Sequence, residues 1–470
     1  MKKLTIAWLI LVCTVLCLFN ASAFAEAHNS GSFRYEVQDD GTCVITSYTG
    51  NAVRIDIPQS LDGHQVTAIG DNAFRCDSFN SDNSHIISLP DGIVSIGDFA
   101  FYQANVSYIN IPDSVESIGI GAFAGCPTCK FAIDGSQKYY AVIDNCLYSK
   151  NDKMLIAATF EYMYSKELVI PEGIIKIGDY ACYRYCKYIG DAGMFGITLQ
   201  IPKSLKEIGN YAFTACSVCP SPDFFSNITS IGDYAFSKGY IYIGSSEVEL
   251  DFSADLSRLG EGAFDGVDCP DIILDFSQCK LDYIPNNAFA NTTSIRVRLP
   301  ENVTSIGSRA FASFKGLTKL SNGNLYRVGP PMIPSRVTEI GESCYENAES
   351  YHLSNCTIPG SIRILPVNAY KGLQTGSSTV KIIVEEGVVR IESKALAISS
   401  TKFIKNGTMS IYLPQSVEYI ANDAMTSDFS LTFYVIRDSY AENWCIRNNY
   451  KYTYQVNEQE QEQDTSWLNN

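Results

Sequence analysis

The residue types best suited to chemistry in this chain are its cysteines, 16 in 470 residues. Two pairs have the C-x-x-C spacing, Cys126 with Cys129 and Cys216 with Cys219. That spacing serves thiol exchange, zinc ligation or a structural bridge. A zinc site needs further ligands converging on the pair. The four histidines, His28, His64, His85 and His352, lie near neither pair in sequence and are expected at the surface. Cys126 and Cys216 each follow a phenylalanine by three residues, in one shared local pattern, and Cys129 and Cys219 fall where that pattern takes leucine. Packing as small apolar side chains is the expected role of these four. Cys269 with Cys279, and Cys344 with Cys356, stand where the pattern is irregular and are the candidate disulfides. The chain has no phosphate-cradling glycine loop, nucleophile elbow or His-Glu-x-x-His motif. No catalytic, cofactor or metal residue is expected.

The local pattern is a repeat. The hexamer I-G-x-x-A-F occurs at Ile69 to Phe74, Ile96 to Phe101, Ile118 to Phe123, Ile208 to Phe213, Ile231 to Phe236 and Ile306 to Phe311, with looser copies ending at Cys182, Phe264, Phe289, Tyr345, Tyr370, Leu396 and Met425. The shortest spacing between sixth positions, 22 residues from Phe101 to Phe123, is the unit, and the excess elsewhere is loop. Before many hexamers stands an alternating apolar–polar segment closed by proline, as in Val106 to Pro112. Alternation is the period of a strand with one buried face, and proline ends it because it has no N–H to donate. Glycine in the second slot suits either an unusual backbone angle or a close approach. Alanine in the fifth lets neighbouring coils stack, and the aromatic fills the interior. One coil cannot bury such residues alone, but a row of coils can.

The full pattern, L-x-x-I-x-I-P-x-S-V-x-x-I-G-x-x-A-F-x-x-C, resembles the BspA-type leucine-rich repeat family over roughly residues 53 to 455. The resemblance implies a repeat solenoid: a right-handed superhelix with a parallel β-sheet on one wall, short helical or irregular segments on the other, and inserted β-hairpins. It further implies a surface protein that binds host proteins or other cells. Pro285 and Pro366 in the glycine slot, and Cys182, Leu396 and Met425 in the aromatic slot, depart from the pattern and mark irregular coils.

Taken in order, residues 1–25 read as an export signal: Lys2 and Lys3, an apolar run, then small residues to Ala25. Residues 26–52 are the N-terminal cap, a hairpin about Asp39-Asp40-Gly41. The solenoid of about 13 units covers 53–432, with a hairpin insertion near 130–165 turning at Asn151-Asp152 and a shorter one turning at Asn322-Gly323. A C-terminal cap, 433–456, contains a short helix near Ser439 to Asn448, and 457–470 is a disordered acidic tail.

The net charge is −16, and an acidic surface argues against nucleic acid and anionic membranes as partners. No membrane span is expected once the signal is removed. The candidate binding face is the outer side of the parallel sheet: Ser107, Asn110, Gln200, Glu247, Glu249, Arg296, Arg298, Lys381 and Tyr412. Arg296 and Arg298 stand out in an acidic protein, since a guanidinium pairs directionally with a carboxylate. The expected partners are extracellular or host-surface proteins. Self-association as a surface coat is the alternative, and a secreted hydrolase the third reading.

Overall fold

The computed structural model describes residues 27–75, 84–133, 135–159, 167–184, 197–243, 248–319, 325–350, 354–400 and 407–455. The expected export signal and acidic tail lie outside them. The repeating element is a coil with two hydrogen-bonded walls. In one coil the strand Val106–Ile111 buries Val106, Ile109 and Ile111. Pro112 ends it, and the Pro112 carbonyl accepts the N–H of Val115 at 3.0 Å to start the return. The same proline bond recurs at Pro202 to Leu205 (3.1 Å) and Pro359 to Ile362 (3.0 Å), so proline both stops the strand and opens the turn. A two-residue strand, Ser117–Ile118, then leads into the hexamer.

The chain divides into two compact units, residues 1–142 and 143–470. In the first, Arg54–Asp56, His85–Ser88, Val106–Ile111 and Lys130–Ile133 form one parallel ladder. Ser95–Ile96 and Ser117–Ile118 form the second with His64–Ile69. The N-terminal end is a three-stranded antiparallel meander, Ala27–Ser30, Phe33–Val37 and Cys43–Tyr48, whose last strand pairs in parallel with His64–Ile69. The expected hairpin is there, with one strand more.

In the second unit one sheet contains Glu167–Val169, Ile197–Gln200, Ser217–Pro220, Tyr240–Ile241 and Asp268–Asp275, with Val248–Asp251 and Thr293–Arg298 flanking the last of these. A later sheet runs Asn355–Ile358, Thr379–Val384, Thr408–Tyr412, Ser430–Val435 and Tyr452–Tyr454. Both expected hairpins form, Cys146–Ser149 with Met154–Ala157 and Gly316–Lys319 with Leu325–Val328. The opposite wall consists of two-residue strands and turns. Among the described residues the only α-helix is Tyr440–Arg447. Its N-cap Ser439 accepts the Glu442 N–H while the Glu442 carboxylate accepts the Asp438 N–H, a variant of the reciprocal cap. Its Trp444 is buried against Phe433 and Tyr450.

The hexamer satisfies its backbone alternately. From the fourth position on, even positions donate to the next coil: Phe99 to Ile120 (2.9 Å), Phe101 to Ala122 (2.8 Å) and Gln103 to Ala124 (2.9 Å). Odd positions donate back within their own coil: Ala122 to Gly119, Ala124 to Gly121 and Cys126 to Phe123. The second-slot glycine donates to the preceding coil, as Gly119 does to Ile96 at 2.8 Å. Of the two roles open to that glycine, the structure selects close approach. A Cβ on Gly119 would meet the Asp98 backbone nitrogen at 2.5 Å. The unusual backbone angle belongs instead to the fourth slot, where Phe99, Tyr211, Tyr234 and Arg309 have φ of 53°, 55°, 54° and 57°.

The sixth-slot rings form columns. In the first unit Phe74, Phe101 and Phe123 stack at 5.2 and 5.4 Å. In the second, Phe213, Phe236, Phe264, Phe289, Phe311, Tyr345 and Tyr370 run in sequence at 5.1 to 5.7 Å between centroids, planes within 11°. Each such pair contributes roughly 0.5–1.5 kcal/mol beyond its buried area. The coil at Cys182 is regular, contrary to the expectation of irregularity: the Cys182 and Arg184 N–H groups reach Ala212 and Thr214 at 2.8 and 3.0 Å. At Leu396 the expected irregularity is present, since Leu396 still reaches Ala424 at 2.9 Å but Ile398 turns back to Leu396 in its own coil. An apolar side chain of another shape is enough, because the hydrogen bond is made by the backbone.

The glycine requirement is testable. Gly119→Ala is expected to lower unfolding free energy by about 2 kcal/mol, measured by denaturant titration. Gly135→Ala, whose Cβ meets nothing within 4 Å, is expected to be neutral.

Candidate functional site

The outward positions of the parallel sheets divide by how far their neighbours occupy them. Ser107 donates to the His85 carbonyl at 3.0 Å. Asn110 clasps one residue of the preceding coil, accepting the Leu89 N–H and donating to the Leu89 carbonyl, both at 2.8 Å. These two staple coil to coil. Gln200 is exposed and donates its amide to Glu167 on the adjacent strand. Glu247 lies outside the described residues.

Glu249, Arg296 and Arg298 meet on one face. Strand register sets Asp251, Asp275 and Arg298 in one row across three strands, and Glu249, Ile273 and Arg296 in the next. Arg298 Nη1 donates to Glu249 Oε1 at 2.5 Å and to Asp275 Oδ2 at 2.6 Å. Burial pushes the Asp275 carboxyl up, but hydrogen bonds from Ser277 and the Arg298 guanidinium outweigh it and hold it down at about 2. The Arg298 charge expected to reach for a partner's carboxylate is thus already engaged by its own sheet. Glu249, Asp251 and Asp275 bring carboxylate oxygens within 4.8 Å of one another, a donor type suited to hard cations, but the same guanidinium bonds two of the three.

Lys381 and Tyr412 belong to a second patch on the later sheet. Register aligns Ile383, Tyr412 and Tyr434 in a row. Tyr412 and Tyr434 stack at 4.3 Å, planes within 9°, and the Lys381 ammonium lies 4.6 Å from the Tyr412 ring centroid. All four side chains are half-buried. The result is an apolar surface with hydroxyls and one cation at its margin.

The four candidate disulfide cysteines are unpaired. Cys269, Cys279, Cys344 and Cys356 are free thiols, as is every other described cysteine. Cys269, Cys279 and Cys344 are packed into the continuous core and Cys356 lies half-buried against it, so the irregular coils use them as fillers. Burial pushes the Cys279 and Cys356 thiols up to about 12, which suppresses the thiolate. Cys126 and Cys129 are buried and Cys219 half-buried, as expected of core packing. His85 is not a surface residue: it is fully buried, its Nδ1 2.9 Å from the Ala52 carbonyl oxygen.

Comparison with known proteins follows from this geometry. The description "BspA type Leucine rich repeat region (6 copies)" matches residues 47–130, 67–190, 153–241, 240–330 and 324–452. The chain belongs to the BspA-type leucine-rich repeat family. Solved structures similar to it include a leucine rich cell surface protein from Faecalibacterium prausnitzii, 18% identical, covering 89% of this chain and 97% of that one with a TM-score of 0.41. A leucine-rich repeat protein from Bacteroides ovatus is 19% identical, covering 86% and 99%, TM-score 0.35. The pneumococcal vaccine antigen PcpA is 12% identical, covering 92% and 99%, TM-score 0.26. A search among curated proteins finds no match. Among the described residues no helix is long and apolar enough to cross a membrane.

Two features of this BspA-type chain were not anticipated from its sequence. The third-slot side chain caps the following coil: Asp71 accepts the Asp98 N–H at 2.8 Å, Asp98 that of Ile120 at 2.7 Å, and Asn210 that of Asp233 at 2.8 Å. Recurrent Asp or Asn after the hexamer glycine was the available signal. Tyr434 was also missed, because only strand register shows that it stands beside Tyr412.

Two measurements check this geometry. A depressed carboxyl stabilises above its ordinary value near 4 and loses that contribution as pH falls through about 2. Asp275→Asn is therefore expected to cost roughly 2 kcal/mol at neutral pH, the gap to the native chain narrowing from pH 4 to pH 2 in unfolding titrations. Free thiols predict a melting temperature unchanged by reductant; a drop of several degrees would restore the disulfides.

Proposed function

We propose that this chain is an exported, surface-displayed recognition protein that works by binding rather than catalysis, and that the outer face of its parallel sheets in residues 143–470 contacts extracellular proteins. Family membership and the signal-like residues 1–25 support export. The observation that carries the binding reading is the Lys381–Tyr412–Tyr434 patch. Tyrosines fixed by stacking lose little freedom on binding and offer both ring and hydroxyl, which is why such residues dominate protein recognition surfaces. The Glu249–Asp275–Arg298 network is the weaker contact, since a partner would have to displace internal ion pairs.

The test is capture of extracellular host proteins and of the organism's own surface on immobilised residues 26–456. Tyr412→Ser with Tyr434→Ser is expected to weaken capture at least tenfold while the chain stays folded, its melting temperature lowered only by the loss of one stacked pair, and Arg298→Glu to weaken it less. Sizing of the free chain separates a coat from a receptor. A concentration-dependent ladder of oligomers lost in the tyrosine variant would mean the patch binds a second copy.

A further inference from the structure

The second unit's ring column changes chemistry partway along. Phe213, Phe236, Phe264, Phe289 and Phe311 are followed by Tyr345 and Tyr370, with no break in the stacking: 5.4 Å and 10°, then 5.1 Å and 7°. Phenylalanine fits this column five times over, so packing does not demand the two hydroxyls. A buried hydroxyl without a partner costs roughly 1–3 kcal/mol. Tyr345 is 2% exposed and Tyr370 4%. The Tyr345 hydroxyl lies 3.5 Å from the Pro331 carbonyl oxygen. Among the described residues the Tyr370 hydroxyl makes no hydrogen bond, yet it is not one of the buried polar atoms sealed off without a partner, so it opens onto the space beside it.

Both rings line a cavity of about 400 Å³, within the range of small-molecule pockets, roughly 300–1,000 Å³. Pro331, Ile333 and Leu373 give it apolar walls, and Met332, 88% exposed, stands among the lining residues. Met332 is the most exposed large apolar side chain of the described residues, and a flexible thioether adapts to varied ligand shapes. Glu385 supplies the one charge of the lining, and its Oε2 accepts the Gly360 N–H at 3.2 Å. Burial pushes both phenols well above their ordinary value, so each keeps its proton and can donate it.

We propose that this cavity is a binding site for a small, uncharged, ring-bearing molecule whose carbonyl oxygen accepts the Tyr370 hydroxyl. The apolar walls take the ring, the phenol fixes the carbonyl, and the Glu385 carboxylate disfavours anions. The site is independent of the sheet-face patch and does not rest on the function proposed above.

The probes are acetophenone, toluene, which lacks the acceptor, and benzoate, which carries a negative charge. Binding to the full chain is followed by ligand-observed NMR and calorimetry. Acetophenone is expected to bind saturably, about five- to tenfold more tightly than toluene, the ratio one hydrogen bond of about 1 kcal/mol provides, with benzoate weakest. Tyr370→Phe keeps the ring stack, and is expected to erase the acetophenone advantage while leaving toluene binding and the melting temperature unchanged or raised. Absence of saturable binding by all three probes overturns the proposal. So does an acetophenone affinity that Tyr370→Phe leaves intact.

Discussion

Each hexamer must satisfy its backbone N–H groups without a helix and with almost no sheet, and it does so by sending alternate groups to itself and to its neighbour. Phe99, Phe101 and Gln103 donate forward to the next coil, while Ala122, Ala124 and Cys126 donate within their own. A buried backbone group left unpaired costs about as much as a lost hydrogen bond. This alternation therefore fixes coil spacing more firmly than any side chain can. An interruption in the side-chain pattern such as Cys182 leaves it intact, whereas at Leu396 it holds through the sixth slot and lapses at Ile398.

That spacing has costs which the other slots offset. Where the second slot is glycine the backbones approach so closely that a Cβ would meet the preceding coil, although Pro285, Pro366, Glu392 and Ala421 hold the same slot in other coils, and the fourth slot takes a left-handed conformation even where the residue is Phe99 or Tyr234. Such a conformation costs a non-glycine residue roughly 1–2 kcal/mol. Ring stacking, the third-slot carboxylate or amide that caps the next coil, and full burial of the fifth-slot alanines work in the opposite direction. Because nearly every inward and turn position is committed in this way, only the outward positions of the long strands and the inserted hairpins remain free to vary with function.

The architecture was legible because its signals are periodic. The hexamer, the strand-ending proline, the hairpin at Asp39-Asp40-Gly41 and the helix after Ser439 all have a local cause that spacing reveals. The binding face was only half legible. Alternation identifies which residues point outward, but not what stands beside them on the next parallel strand, whose register partner lies 19 or more residues away with loops of varied length between. Arg298 looked available and is held by Glu249 and Asp275. Asn110 looked outward and is consumed by Leu89. Tyr434 looked like cap and is half of the aromatic patch. The disulfide expectation rested on an exported chain and on the irregular coils in which these four cysteines stand, whereas the structure packs them as interior side chains of the right size.

Parallel stacking also restricts what an outer face can be. Corresponding positions on adjacent strands lie about 4.8 Å apart, so a repeat that copied a charged residue from coil to coil would place like charges side by side. The two patches resolve this differently. The row Asp251, Asp275, Arg298 mixes sign, and its one guanidinium is already shared between Asp275 and Glu249, which stabilises the coils and leaves no uncommitted cation there to attract a partner. The row Ile383, Tyr412, Tyr434 repeats apolar groups, whose proximity is favourable, and keeps hydroxyls and the Lys381 ammonium at its margin. An internally paired row can be part of an interface only by exchanging its internal bonds for external ones. An aromatic row gives up little on contact except water, and for that reason the binding role we propose for this chain falls to its tyrosines and not to its arginines.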